Sequence, residues 1–131
     1  MIKPTVCPTR ESKLRLFVTP TSPYARLSLI VRMEKHLSEQ VELVWTQTRN
    51  PNDPMLVNNP SGRIPFLLLK DGTGYEDTDV IIPYFDSLVS PLQFGIPDGE
   101  AYWPFRRLQA MARSMLDGIS VWAREVIRPT N

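Results

Sequence analysis

The stretch "NPSGRIPFLLLKDGTGYEDTDVIIPYFD", residues 59–86, decides the fold. At its centre, Ile64 to Lys70 is a short apolar run closed off by turn residues, the pattern of a strand buried in a sheet. Asp71-Gly72 is a tight-turn pair, so a short return strand should follow and pair with the first as a hairpin. Thr78 then stands where a helix N-cap belongs, with helical residues behind it to about Leu88. Ile81 occupies the position where Glu or Gln would complete a capping box. Two residues oppose these elements. Pro83 removes a backbone N–H inside the helix and should kink it, and Gly74 offers no side chain and should weaken the return strand.

Upstream, "LRLFV" at 14–18 alternates as a strand, with Leu14, Leu16 and Val18 on one face. Ser22 and Pro23 read as N-cap and first helical residue of a helix reaching about Leu37, with Lys35 and His36 in its last turn, where the helix dipole favours cations. "VELVW" at 41–45 is a second strand, and a strand–helix–strand unit of this length predicts a parallel pair. The intervening "RNPNDPMLVNNPSGR", 49–63, is broken by proline and glycine and leaves room for one short helix, capped by Asp53 and running through Val57.

Downstream, "SPLQFGIPDGE" at 90–100 reads as a linker, and a long helix follows to about Ile127. Phe105, Leu108, Met111 or Ala112, Met115, Ile119, Trp122 and Val126 recur at helical spacing along it. Arg106, Arg107, Arg113 and Arg124 fall off that stripe and read as a solvated face. The expectation is an α/β fold with a β-α-β-α-β-β-α order and a mixed four-stranded sheet, followed by one surplus helix. The expected divisions are a loose tail at 1–13, a domain at 14–89, a linker at 90–100 and the helix within 101–131.

Composition limits the function. With 131 residues, 42% hydrophobic and 22% charged, the chain can bury a core of its own. A formal net charge of +1 provides no field to gather nucleic acid or an anionic membrane surface. Thirteen prolines, scattered through candidate loops, predict stiff connections. A single cysteine, Cys7, forms no internal disulfide or CxxC pair, and no apolar run approaches membrane-span length, so a cytoplasmic protein is expected. His36 is the only histidine, which argues against a metal site and against a Ser-His-Asp system. Phosphate-loop and dinucleotide fingerprints are absent.

Residues 59–86, together with "LRLFVTPTSPYARLSLIVRMEK" at 14–35 and "RLQAMARSMLDGISVWAREVIRP" at 107–129, resemble the glutathione transferase family in motif order and spacing. The resemblance implies a thioredoxin-like domain that binds glutathione as a substrate, with no further cofactor. It places Ser22 beside the glutathione sulfur, where a hydroxyl and a helix start stabilise a thiolate. Ser22 is not a nucleophile on this reading, since no histidine or acid is close in sequence to activate it. It implies a cis Ile64-Pro65 bond that presents the Ile64 backbone to the cysteinyl backbone, and an Asp77-Thr78 pair that grips the γ-glutamyl end. Arg63 stands where the family often has lysine and would help to hold a ligand carboxylate. The family joins glutathione to a small electrophile and pairs as homodimers. Here only the first helix of its all-helical second domain is present, so the alternative is a non-catalytic module that binds another protein.

Overall fold

A computed structural model describes residues 13–129; Cys7 and nearly all of the expected tail lie outside the described residues. Strands β1 (Leu14–Val18), β2 (Val41–Trp45), β3 (Phe66–Leu68) and β4 (Gly74–Glu76) and helices α1 (Pro23–Glu34) and α2 (Thr78–Ser87) run in the order β1-α1-β2-β3-β4-α2, and α3 (Tyr102–Val126) follows. The strands form one four-stranded sheet in the order β2-β1-β3-β4. β1 and β2 are parallel, while β3 runs antiparallel to both β1 and β4. This is the mixed sheet expected from the sequence, with the hairpin turn at Asp71-Gly72, where Gly72 takes φ +89°.

The alternation of β1 divides the core. Leu14, Leu16 and Val18 face Ala25 and Val31 of α1 and Ile81 and Phe85 of α2. Phe17 faces the other way and packs with Met55, Phe66 and Leu68. Apolar area of this kind contributes about 25 cal/mol per Å² on burial, which makes the first face the main source of stability. β3 is shorter than the expected 64–70 run. Pro65 has no N–H to give a ladder, and Leu69 already closes the turn by bonding Thr73 O at 2.8 Å. Pro83 lies inside α2 without ending it.

Gly74 is required where it stands. A Cβ built on it would lie 2.6 Å from the ring of the buried Phe66, so the strand is paid no side chain because the aromatic ring fills that space. The expected weakness of β4 is thus the condition for burying Phe66.

One correction concerns the end of α1. α1 ends at Glu34, short of the expected Leu37, because His36 turns left-handed at φ +53°. Lys35, the C-cap of α1, is buried. Its Nζ lies 3.0 Å from Asp86 Oδ1, and it donates to the carbonyls of Val89 and, at 2.7 Å, of Pro91. Asp86 in turn accepts the Gln93 and Phe94 N–H groups at 2.9 Å. The first half of the expected linker is therefore held by a charged pair beneath it. Burial works to raise the Asp86 carboxyl, but these N–H groups and the Lys35 ammonium outweigh it and hold the group below its ordinary range.

α3 presents two stripes. Tyr102, Phe105, Gln109, Arg113, Leu116 and Ser120 are buried or half-buried, whereas Leu108, Met115, Ile119, Trp122 and Val126 are each at least half exposed. Apart from Phe105, the expected apolar stripe is the uncovered face, and the docked face is mixed, with Gln109, Arg113 and Ser120 among aromatic and aliphatic residues. No helix among the described residues is long and apolar enough to cross a membrane.

Replacing Lys35 with Met should destabilise the chain by about 3–5 kcal/mol, since it strands a buried carboxylate. Because the native Asp86 carboxyl is held below its unfolded value, its contribution is present above about pH 4 and is lost as acid protonates the native group. Chemical denaturation of both proteins between pH 7 and pH 3 should show the parent's advantage shrinking toward the acid end; a Lys35→Met chain as stable as the parent at pH 7 would contradict the pairing.

Candidate functional site

Strand register decides which loops meet. Phe17 of β1 stands opposite Phe66 of β3, which stands opposite Glu76 of β4, and Val18 is level with Trp45 of β2. The chain therefore leaves β1, enters β3 and leaves β4 at one edge of the sheet. Ser22, Ile64-Pro65 and Asp77-Thr78 occupy those three connections, so antiparallel pairing gathers onto one edge residues that are up to 56 positions apart.

Ser22 is half-buried and caps α1. Its Oγ accepts the Ala25 N–H at 3.1 Å, and Pro23 opens the helix behind it. An accepting hydroxyl still has its own proton to donate. Two residues on, the Tyr24 hydroxyl donates to Asp117 of α3, which brings the surplus helix beside the α1 start.

The approach to β3 is built by Asn59, which is fully buried. Its Nδ2 donates to the Arg63 carbonyl at 2.8 Å, and its Oδ1 accepts from Ser61. Ser61 also reaches Glu76 at 3.0 Å, tying this loop to the end of β4. The Arg63 side chain is exposed and forms no ion pair among the described residues. The Ile64-Pro65 bond is cis, with Pro65 buried and Ile64 half-buried. The Ile64 backbone makes no hydrogen bond among the described residues outside regular structure.

The end of β4 corrects one expectation. Asp77, not Thr78, is the N-cap of α2: it adopts φ +71° and its Oδ1 accepts the Asp79 N–H at 3.0 Å. This turn drives Thr78 inward, where it is buried as the first residue of the helix. A second correction is Arg113, which is not part of a solvated face. Its Nη2 lies 3.0–3.1 Å from both Asp77 oxygens and its Nη1 lies 2.8 Å from Asp79. Burial tends to raise the Asp77 carboxyl, yet the Asp79 N–H and the guanidinium hold it below its ordinary range. Arg113 is itself raised, chiefly by its hydrogen bond to Asp77.

Sequence reasoning missed Asn59, Tyr24 and Arg113. For Arg113 a signal existed, because residues 102, 105, 109, 113, 116 and 120 repeat at helical spacing, but that stripe is only half apolar and competes with a more strongly apolar one. The two are told apart only by what packs on them.

Among the described residues, no group of His, Cys, Asp and Glu is arranged to hold a metal ion. A cleft of about 580 Å³ between Lys13, Gln40, Lys70, Tyr84 and Leu88 lies at the opposite edge of the sheet, by the start of β1, and shares no residue with this site.

The family model described as the glutathione S-transferase N-terminal domain matches residues 16–92, more than half of the chain. A glutathione S-transferase from Methylobacillus flagellatus, solved with glutathione bound, is 34% identical and superposes with a TM-score of 0.74 over 89% of this chain and 57% of its own. A glutathione transferase family member from Pseudomonas fluorescens Pf-5, also with bound glutathione, is 30% identical with a TM-score of 0.76, over 88% and 57% of the two chains. The GST-like protein YibF of Escherichia coli K12 is 26% identical over 117 residues, 88% of this chain and 56% of its own. The chain thus spans a little over half the length of the relatives it matches.

Loss of the Ser22 cap should be measurable without any ligand. Ser22→Ala is expected to lower stability by about 1 kcal/mol in denaturant titration, and Ser22→Asn, which keeps an accepting oxygen, to recover most of it.

Proposed function

Because the chain belongs to the glutathione S-transferase family through its N-terminal domain, we propose that it binds glutathione along the sheet edge that carries Ser22, Ile64-Pro65 and Asp77-Thr78. The observation that carries this reading is the convergence of those three connections on one edge. Ser22 has a hydroxyl proton free beside a helix N-terminus, and Ile64 has a backbone N–H and carbonyl open to an extended peptide. Asp77 has a carboxylate for an ammonium at the head of α2. The exposed Arg63 guanidinium supplies a cation for a ligand carboxylate.

The proposed chemistry is stabilisation of the glutathione thiolate for attack on a small electrophile. Moving a thiol pKa from about 8.5 to about 7 requires roughly 2 kcal/mol of preference for the charged form. One hydrogen bond from Ser22 to the thiolate and a helix terminus together are of that size. Ser22 donates and does not attack; among the described residues its side chain bonds only the Ala25 N–H, so no base is at hand to activate it. A cytoplasmic setting belongs to the same proposal.

The exposed stripe on α3 supports a homodimer. Leu108, Met115, Ile119, Trp122 and Val126 are 53–68% exposed, a contiguous apolar face that water penalises, and a second copy of the chain would cover it. The same face is what favours the second reading, a non-catalytic module that docks a different protein there. The two part on glutathione: the first requires binding and thiolate formation, the second requires neither.

Calorimetric titration with glutathione tests the binding. With binding established, the ultraviolet thiolate absorbance of the bound ligand against pH should shift upward by about one unit or more in Ser22→Ala. An unchanged midpoint would remove Ser22 from the chemistry. Light scattering during size-exclusion chromatography should find twice the 15.0 kDa chain mass at micromolar concentration; a monodisperse monomer would refute the dimer.

A further inference from the structure

α3 runs along the site edge of the sheet in the order of the strands. Arg113 meets Asp77 at the start of α2, Asp117 meets Tyr24 at the start of α1, and Val121, Arg124 and Arg128 face Arg49 in the loop after β2. β4, β1 and β2 lead into those three places and stand in that order across the sheet. Between Arg49 and the end of α3 lies a cleft of about 340 Å³, completed by Glu125 and Pro129.

The chemistry of this cleft is one-sided. Three of its six lining residues are arginines and one is an acid, which leaves two positive charges unmatched. Glu125 is paired with Arg128 at 2.7 Å, whereas Arg49 and Arg124 form no ion pair among the described residues. Helical spacing alone sets Arg124 beside Arg128, but Arg49 is brought to them from across the fold. Its backbone is left-handed at φ +69°, a conformation that a bulky residue keeps only where its surroundings hold it. The loop around it is pinned by Asp53, whose carboxylate accepts the Thr46 hydroxyl and the N–H groups of Gln47 and Met55 at 3.1 and 2.9 Å. The Asp53 N–H closes on the Asn50 carbonyl at 3.1 Å, and the Thr46 N–H ties the loop to Val18 of β1 at 3.0 Å.

A broad positive field, as a polynucleotide or a lipid surface requires, is not available to a chain of net charge +1. A small cleft with two unmatched guanidiniums suits a compact oxyanion, which an arginine fork meets with paired hydrogen bonds. The glutathione reading above puts the ligand sulfur beside Ser22. Tyr24, in the same helix start, touches Asp117, and Val121 and Arg124 lie about 6 and about 10 Å further along α3. A charged group carried from the sulfur on an arm of several carbons reaches the arginines.

We propose that this cleft is a specificity subsite for the electrophile, selecting co-substrates that carry a carboxylate or similar oxyanion a few carbons from the reacting atom. This rests on the glutathione reading and adds a substrate class to it. All three arginines are exposed, so the attraction is a sum of open charges that salt screens.

The test is calorimetric titration with S-(5-carboxypentyl)glutathione and S-hexylglutathione, which differ only in a terminal carboxylate against a methyl group. At low salt the parent should prefer the acidic conjugate by about five-fold, the scale of one or two exposed ion pairs. The preference should fade between about 10 mM and about 1 M salt, as the Debye length contracts from about 30 to about 3 Å. It should also shrink in Arg124→Gln and in Arg49→Asn, where asparagine tolerates the left-handed backbone, and reverse in Arg124→Glu. A parent that binds both conjugates equally at low salt would overturn the subsite. So would variants that weaken both alike and leave the ratio unchanged, since the arginines would then act on the peptide common to both probes. A parent that binds neither conjugate would overturn the glutathione reading itself, and this inference with it.

Discussion

A charge buried in a protein must be matched, and here the match between Lys35 and Asp86 organises much of the chain. One partner closes α1 and the other lies in the last turn of α2, so the pair pins together the two helices that cover the main core face of the sheet. Its remaining hydrogen-bonding capacity is spent on the segment after α2, through the Val89 and Pro91 carbonyls and the Gln93 and Phe94 N–H groups. A proline- and glycine-bearing stretch that would otherwise wander is thereby led off in one direction. An unpaired charge at this depth would be severely unfavourable, so the arrangement has few alternatives.

The sheet contributes a different kind of constraint. Antiparallel pairing of β3 against β1 and β4 makes the beginning of one strand coincide with the ends of its neighbours. Groups from distant parts of the chain then share an edge without any contact among themselves having to draw them there. Local devices hold each in place: a serine cap at α1, a buried asparagine under the Arg63 carbonyl, and an aspartate cap in a left-handed turn at α2. Such caps orient backbone N–H groups toward the same edge, so the residues that close the helices also stand on it.

α3 joins these two systems. Its docked face mixes polar and apolar residues and meets the first domain through Tyr24–Asp117 and the Arg113 bridge, whereas its most apolar face is left outward. A helix attached by directed polar contacts takes a more sharply defined rotation than one attached by an apolar stripe, since each hydrogen bond has an angle to satisfy. The apolar face remains free for association.

What the sequence determined by itself is the class and order of the elements. Period-2 alternation in β1, the Asp71-Gly72 turn, the Ser22-Pro23 helix start and the 3.6-residue recurrence in α3 are all local patterns, and local sterics and burial enforce them wherever the chain goes. Ser22 was legible as a helix start for the same reason, whereas Ile64, Pro65 and Asp77 were singled out through the family resemblance. Only the tertiary structure decided the partners. Nothing near Lys35 in the chain announces Asp86, Gly74 reads as a weakness until Phe66 is seen filling its place, and Arg113 looks solvated until Asp77 and Asp79 are set against it. The physical reason is common to all of them. A charge or a void is defined by what lies across the fold from it, at a sequence separation over which no local periodicity carries information.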